Sequence, residues 1–344
     1  MQRRRLGPTG TLVGVWALGT MTFGAETDED DAHRMLDRFV DAGGDLLDCA
    51  DVYAGGRSEE IVGRWLADRG ARDRVVLATK GRFPMGDGPN DAGASRVHLT
   101  RALEASLRRL GTDHVDLYQV HCWDPLTPIE ETLATLDDMV RAGKVRHVGV
   151  SNYTGWQLQR AVLEARHRGL APIATFQPQW NLLARELEWE LVPLCVDEGI
   201  GILPWGPLGG GWLTGKYRRD ERPTGATRLG EDPERGVEAY DRRNTERTWA
   251  VLDVVTAIAD DHAVSPGQVA LRWLAEQPAV ASVILGARTL DQLDDNLGAE
   301  SLGLSVDELA RLDEVSRPVL PDYPYATIAD MTAARRTAIE DRVL

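Results

Sequence analysis

The chain has 344 residues, a formal net charge of -15, and 43% hydrophobic and 27% charged residues. That length and balance allow a full hydrophobic core, in one large domain or two ordinary ones, and the acidic excess argues against nucleic acid as a partner. No apolar run approaches the roughly 20 residues of a membrane span. The basic residues 1–8 are followed by no apolar signal-peptide core. Cys49, Cys122 and Cys195 are an odd number without metal-like spacing, which fits a reducing cytoplasm and no resident metal.

In chain order, residues 4–13 read apolar-turn-apolar, a hairpin able to plug one end of a barrel. Short buried-strand patterns follow at residues 14–18, 44–48, 74–80, 115–121, 145–151, 173–177, 200–204 and 281–285. Runs with helical periodicity lie between them, as at residues 99–110 and 133–140. Four helix starts match the capping-box pattern: Thr127 with Glu130, Ser265 with Gln268, Thr289 with Gln292, and Ser305 with Glu308. Pro128 and Pro266 would occupy the first helical position, where no N–H is needed. Strands alternating with helices imply βαβ units and a parallel sheet. With no linker in sight, residues 1–344 are expected to form one (β/α)8 TIM barrel. Two long loops, residues 81–95 and 206–243, follow strands and so belong on the carboxyl-terminal face, as lids or binding loops. Residues 321–325 read as an extended segment before a short helix, so the stretch 320–344 would close over the pocket or lie against a neighbouring subunit.

Active sites of such barrels form where the strands end. Those ends carry Asp48, Lys80, His121, Ser151 with Asn152, Gln177, Trp205, and Gly286-Ala-Arg288. Taken singly, Lys80 reads equally as a surface lysine, Gln177 as a strand cap and His121 as a core histidine. Polar groups ending one buried strand after another are costly in a core and cheap around a pocket. Tyr53 lies just beyond Asp48, and its neighbours suggest a proton-donating phenol. A lysine ammonium would pull the phenol pKa below its ordinary value, a carboxylate would hold the ammonium, and an imidazole would bond the oxygen that receives the proton. Cys49 and Cys122 read as small buried side chains beside these residues. No G-x-G-x-x-G follows the first strand, which argues against a Rossmann cofactor site. No cluster of basic residues marks a carboxylate or phosphate pocket for substrate.

At these positions the chain resembles the aldo-keto reductase superfamily. Asp48-Cys-Ala-Asp-Val-Tyr53 resembles the D-x-A-x-x-Y-G signature, with Ala54 in the glycine's place, and Thr79-Lys80, Gln119-Val-His121 and Gly149-Val-Ser-Asn152 match further family segments. Gly19-Thr-Met-Thr-Phe-Gly24 and residues 207–217 resemble the longer bacterial branches, which are similar to potassium-channel β-subunits. The resemblance implies an NADPH-dependent reductase of aldehydes or ketones in the cytoplasm. Tyr53 would be the general acid, tuned by Lys80 and Asp48, and His121 would orient the carbonyl. It further implies that Ser151, Asn152 and Gln177 hold the nicotinamide carboxamide and that Trp205 stacks on the ring. Gly19, Thr20, Met21, Gly206, Pro207, Leu208, Gly210 and Lys216 would line the rest of the cofactor cleft. Gly286 would also border that cleft, Arg288 and Gln292 would take the 2′-phosphate, and Asn296 the adenine. Phe23, Trp123 and Trp212, with Met21, would flank a partly aromatic substrate pocket. A homo-oligomer is compatible with this reading, as is an NADP(H)-binding regulatory subunit of slow turnover.

Overall fold

Ten strands organise the described residues. In the computed structural model, which describes residues 1–219, 221–225, 227–234 and 236–340, β1 (Arg3–Arg5) and β2 (Leu12–Gly14) pair antiparallel. The other eight form one parallel sheet: β3 (Trp16–Gly19), β4 (Leu46–Asp48), β5 (Val76–Gly81), β6 (Val115–Val120), β7 (Val145–Ser151), β8 (Ile173–Gln177), β9 (Gly201–Ile202) and β10 (Val283–Leu285). Every expected strand is present. Successive strands are neighbours, and β10 lies beside β3. Backbone bonds from Ile202 N to Ala279 O (2.7 Å) and from Ala281 N to Ile202 O (2.9 Å) bring the two edges together. The sheet therefore curls into the (β/α)8 TIM barrel that the alternation implied.

The hairpin plugs the barrel. Leu6 and Val13 are fully buried in an inner cluster with Ala17, Leu46, Ala78, Leu117, Leu203, Ala281 and Ile284. Small alanines at several of these positions leave room for the hairpin's larger side chains. A larger apolar layer lies outside the strands, where the helices pack.

The helices are α1 (Glu29–Asp41), α2 (Arg57–Arg69), α3 (Arg96–Leu110), α4 (Ile129–Arg141), α5 (Gly155–Arg168), α6 (Leu191–Glu198), α7 (Arg228–Glu231), α8 (Tyr240–Arg243), α9 (Glu246–His262), α10 (Pro266–Ala275), α11 (Leu290–Gly298), α12 (Val306–Ser316) and α13 (Thr327–Glu340). Ser305 and Glu308 make a complete capping box, and Ser265 and Thr289 each accept from the third helical N–H. Thr127 departs from expectation. Its hydroxyl donates to Asp124 Oδ2, and α4 begins one residue later with Pro128 as its cap. The side chain of Asp124 thus takes the hydroxyl that the cap pattern assigned to the helix. A capping box not anticipated, Thr154 with Gln157, starts α5.

Residues 206–243 are less bare than expected, holding a 3-10 turn at Gly209–Thr214 as well as α7 and α8. The segment at 321–325 is not extended throughout. A π-type turn covers Asp322–Ala326 and runs into α13, and Tyr325 Oη donates to Glu190 Oε1 at 2.5 Å. Residues 341–344 of that stretch lie outside the described residues. Among the described residues, no helix is long and apolar enough to cross a membrane.

Candidate active site

Asp48 ends β4, Lys80 lies near the end of β5, and His121 follows β6. Parallel register pairs Gly19 with Asp48 and Lys80 with Gln119, so these ends share one rim. Tyr53 stands in the turn after β4. Its chain reverses through Ala54 (φ 48°), Gly55 (φ 65°) and Gly56 (φ 97°). Ala54 therefore holds a left-handed conformation, which costs a residue with a Cβ about 1–2 kcal/mol.

Lys80 is the centre of the group. It is fully buried, and its Nζ donates to Asp48 Oδ2 at 2.6 Å, to Cys49 O at 2.8 Å and to Tyr53 Oη at 3.0 Å. Asp48 Oδ1 accepts from Gln177 Nε2 at 2.9 Å and from Gln119 Nε2 at 3.4 Å. Burial alone would pull the Lys80 ammonium down, but Asp48 and Tyr53 outweigh it, and the net shift is upward. Lys80 is thus held as a cation where charge is expensive.

Tyr53 departs from the expectation for its phenol. Burial raises its pKa by more than Lys80 lowers it, so the net direction is above the ordinary value of 10.0. The phenol is firmly protonated at neutral pH, with the ammonium beside it to receive negative charge when a proton leaves. His121 is pulled down to about 2 by burial, reinforced by Lys80 and Arg82. Its imidazole is neutral, and its ring meets the rings of Tyr53 at 5.9 Å and Phe83 at 4.6 Å, both edge-on. Cys49 is pushed up to about 12 by burial and stays a thiol, as the packing reading of this residue required.

A second set of strand ends is tied together by Asn152. Its Nδ2 donates to His121 O (3.0 Å) and Ser151 Oγ (2.9 Å), and its Oδ1 accepts from Trp205 Nε1 (3.1 Å). Asn152 sits at φ 55°, a left-handed position that asparagine tolerates better than most residues. Ser151 Oγ donates to Gln177 O at 2.7 Å. Gln177 Nε2 is committed to Asp48, which leaves Oε1 as the acceptor of that amide. Thr20 is buried, with its N and Oγ1 both bonded to Asp48 O. Gly19 packs so closely that a Cβ there would stand 2.8 Å from Ile284, while Met21 is partly exposed.

Farther along the rim, a Cβ at Gly206 or Gly286 would meet nothing within 4 Å, so both positions open onto free space. Asn181 Nδ2 holds Gly206 O at 2.8 Å, and Pro207, Leu208 and Gly210 follow into the 3-10 turn. Lys216 lies over the Tyr217 ring at 5.3 Å. At the start of α11, Arg288 N donates to Gln292 Oε1 (2.9 Å), and Asn296 Nδ2 donates to Gly286 O (3.1 Å). The Arg288 guanidinium reaches Glu231 at 3.1 Å and Glu26 at 3.5 Å. Carboxylates on a guanidinium at a helix amino terminus mark a place with affinity for anions. The donors and acceptors around the rim therefore fit a nicotinamide dinucleotide.

Two expected pocket residues lie elsewhere. Trp212 is fully buried, donates to Glu238 O and packs on Tyr217, Tyr240 and Trp249, forming the core of the long loop. Phe23 is also fully buried, in the main core. Trp123 meets Tyr153 and Trp156 edge-on and lines an outer cavity of about 610 Å³ with Leu126, Trp156 and Arg160, to which none of Asp48, Tyr53, Lys80 and His121 contributes. Sequence reasoning overlooked Phe83 and the acidic partners of Arg288, and took Gln119 only as part of the segment ending in His121, without a role in the site. Gln119 was within reach, since strand residues two apart face the same side and it precedes His121 by two.

The sequence profile of the Aldo/keto reductase family matches residues 16–317. The chain is 37% identical to the uncharacterized oxidoreductase YrpG of Bacillus subtilis, covering 92% of this chain and 96% of the relative. It is 36% identical to protein tas of Escherichia coli, with 92% and 97% covered. It is also 36% identical to a probable voltage-gated potassium channel subunit beta of rice, Oryza sativa, with 87% and 91% covered.

Proposed function

Because the chain belongs to the aldo/keto reductase family, a family of oxidoreductases that generally use nicotinamide cofactors, we propose that it reduces aldehyde or ketone carbonyls to alcohols with NADPH, and that Tyr53 donates the proton. The observation that carries this is the buried Lys80 ammonium, 3.0 Å from Tyr53 Oη and anchored by Asp48 at 2.6 Å. A nicotinamide held in the cleft would supply the hydride.

Tyr53 enters the reaction protonated. As the substrate oxygen becomes alkoxide, Tyr53 Oη passes its proton over, and the forming phenolate gains a full positive charge at hydrogen-bond distance. Preorganised charge of this kind acts where it develops, without solvent reorganisation. His121, neutral, donates an N–H to the carbonyl oxygen without placing a second cation beside Lys80. In the reverse direction Tyr53 is the base. Gln177, Ser151 and Asn152 offer the mixed donors and acceptors that a carboxamide needs, and Trp205 offers a flat face for the ring. Gly19, Thr20, Met21, Gly206, Pro207, Leu208, Gly210, Lys216 and Gly286 would border the cleft. Arg288 and Gln292 would hold the 2′-phosphate and Asn296 the adenine.

The test is absorbance-monitored NADPH oxidation with a reactive aromatic aldehyde, comparing wild type with Tyr53→Phe, alongside NADPH binding. The expected loss of turnover is about 10²–10⁴-fold with binding preserved. Undiminished turnover in Tyr53→Phe would remove Tyr53 from its role. The similarity to a channel β-subunit favours one other reading, a cofactor-binding regulatory subunit. NADPH binding with no turnover of any carbonyl compound by wild type would support it.

A further inference from the structure

We propose that Arg82 selects the substrate by binding an anionic group, a carboxylate, carried by the carbonyl compound. This rests on the reductase reading above and goes beyond it by naming a substrate class.

The position is unusual in three independent ways. Arg82 stands at φ 136°, a left-handed region that residues with a Cβ rarely occupy, immediately after Gly81 at the end of β5. Such outliers persist only where the surroundings fix them, and they gather at functional sites. Here Gly93 N bonds Arg82 O at 2.8 Å, closing the base of the loop at residues 82–95.

The guanidinium is also poorly satisfied. Its Nη2 reaches Trp123 O at 3.3 Å, its Nε is buried without a partner, and no carboxylate lies within ion-pair distance of it among the described residues. That is notable in a chain with 54 acidic residues against 39 basic ones. The acidic neighbour, Asp124, is occupied: its oxygens accept from Ala94 N, Leu126 N and Thr127 Oγ1.

Finally, the guanidinium neighbours the proposed proton-transfer centre through Phe83. Its carbon lies 5.4 Å from the Phe83 ring centroid, and Phe83 lies 4.6 Å from His121. A guanidinium has five donors in a planar fork suited to a carboxylate or a phosphate. A half-buried one with free donors beside a proton-transfer centre is a receptor for such a group.

The experiment compares matched pairs of substrates in wild type, Arg82→Gln and Arg82→Lys. Glyoxylate, succinic semialdehyde and 4-carboxybenzaldehyde are each set against their methyl esters, and glyceraldehyde 3-phosphate against glyceraldehyde. The readout is the ratio of kcat/KM for the anionic member to that for its neutral partner, which cancels any general loss of active protein. Wild type should favour at least one carboxylate over its ester by about tenfold or more, mainly through KM. Arg82→Gln should bring the ratio to unity or below, and Arg82→Lys should restore part of it. A preference for the phosphate alone would overturn the carboxylate assignment. So would a wild-type ratio of one for every pair, or a carboxylate preference that survives in Arg82→Gln. Turnover of neither member of any pair with NADPH bound is a different result, since it removes the reductase reading itself.

Discussion

Replacing Lys80 by Met tests the site at its centre. The change removes a fully buried cation and leaves the Asp48 carboxylate, 3% exposed, with only the two glutamine amides at 2.9 and 3.4 Å. Removing one partner of a buried ion pair costs about 3–5 kcal/mol, because the other charge is stranded in the interior. The pair here is close, at 2.6 Å, and its cation also bonds Cys49 O, so the full range applies. The effect on chemistry is separate: without the ammonium, the forming phenolate of Tyr53 loses the one neighbour of opposite charge, among the described residues, within bonding distance. Loss of one preorganised donor to a developing anion lowers kcat by about 10²–10³-fold. Urea unfolding measures the first quantity, and NADPH oxidation under saturating substrate measures the second. The double variant Asp48→Asn with Lys80→Met should be less destabilised than the sum of the single changes, by about 0.5–3 kcal/mol. A Lys80→Met protein with the wild-type urea midpoint and kcat would refute the reasoning, as would strict additivity in the cycle.

The other predictions concern the imidazole and the phosphate end of the cleft. His121 titrates at 6.5 when unfolded and at about 2 when folded, so below 6.5 the unfolded chain binds one more proton. Its contribution to stability is complete above 6.5 and is lost on acidification at about 1.4 kcal/mol per pH unit. His121→Asn should unfold in urea with a correspondingly flatter dependence on pH, and an unchanged slope would mean that the ring is not held neutral. Glu231→Gln removes a carboxylate 3.1 Å from Arg288. It should tighten NADPH binding by about 2–5-fold, the value of one exposed ion pair, and leave NADH unchanged. Fluorescence titration reads both, and equal tightening for NADH would show that Arg288 does not meet the 2′-phosphate.

How much of this was legible beforehand depended on whether the signal was local. Strand ends were readable because a parallel barrel strand is buried on both faces, so a lysine or histidine closing an apolar run stands out. Asp48, Lys80 and His121 were picked out in this way and do lie at strand ends, and the barrel followed from the alternation. The Thr127 cap failed because Asp124, three residues upstream, offered its hydroxyl a different acceptor. Trp212 and Phe23 failed because an aromatic residue near a strand end looks the same whether it faces a cleft or a core. That choice is made by distant partners, here Tyr240, Trp249 and Glu238 for Trp212. The direction of the Tyr53 shift was misjudged for a related reason, since a nearby ammonium can be read in a sequence and the depth of burial cannot. Arg82 escaped notice because its backbone angle and unmet donors exist only in three dimensions.

The Asn152 side chain joins the ends of three strands, bonding the main chain of His121 on one side and the indole of Trp205 on the other. These strand ends, on which the proposed site is built, are therefore coupled to one another through a single side chain. Under the reductase reading, alignment of the reacting groups then rests on this bonded set of strand ends, and the choice of guest falls to side chains outside it, Arg82 among them.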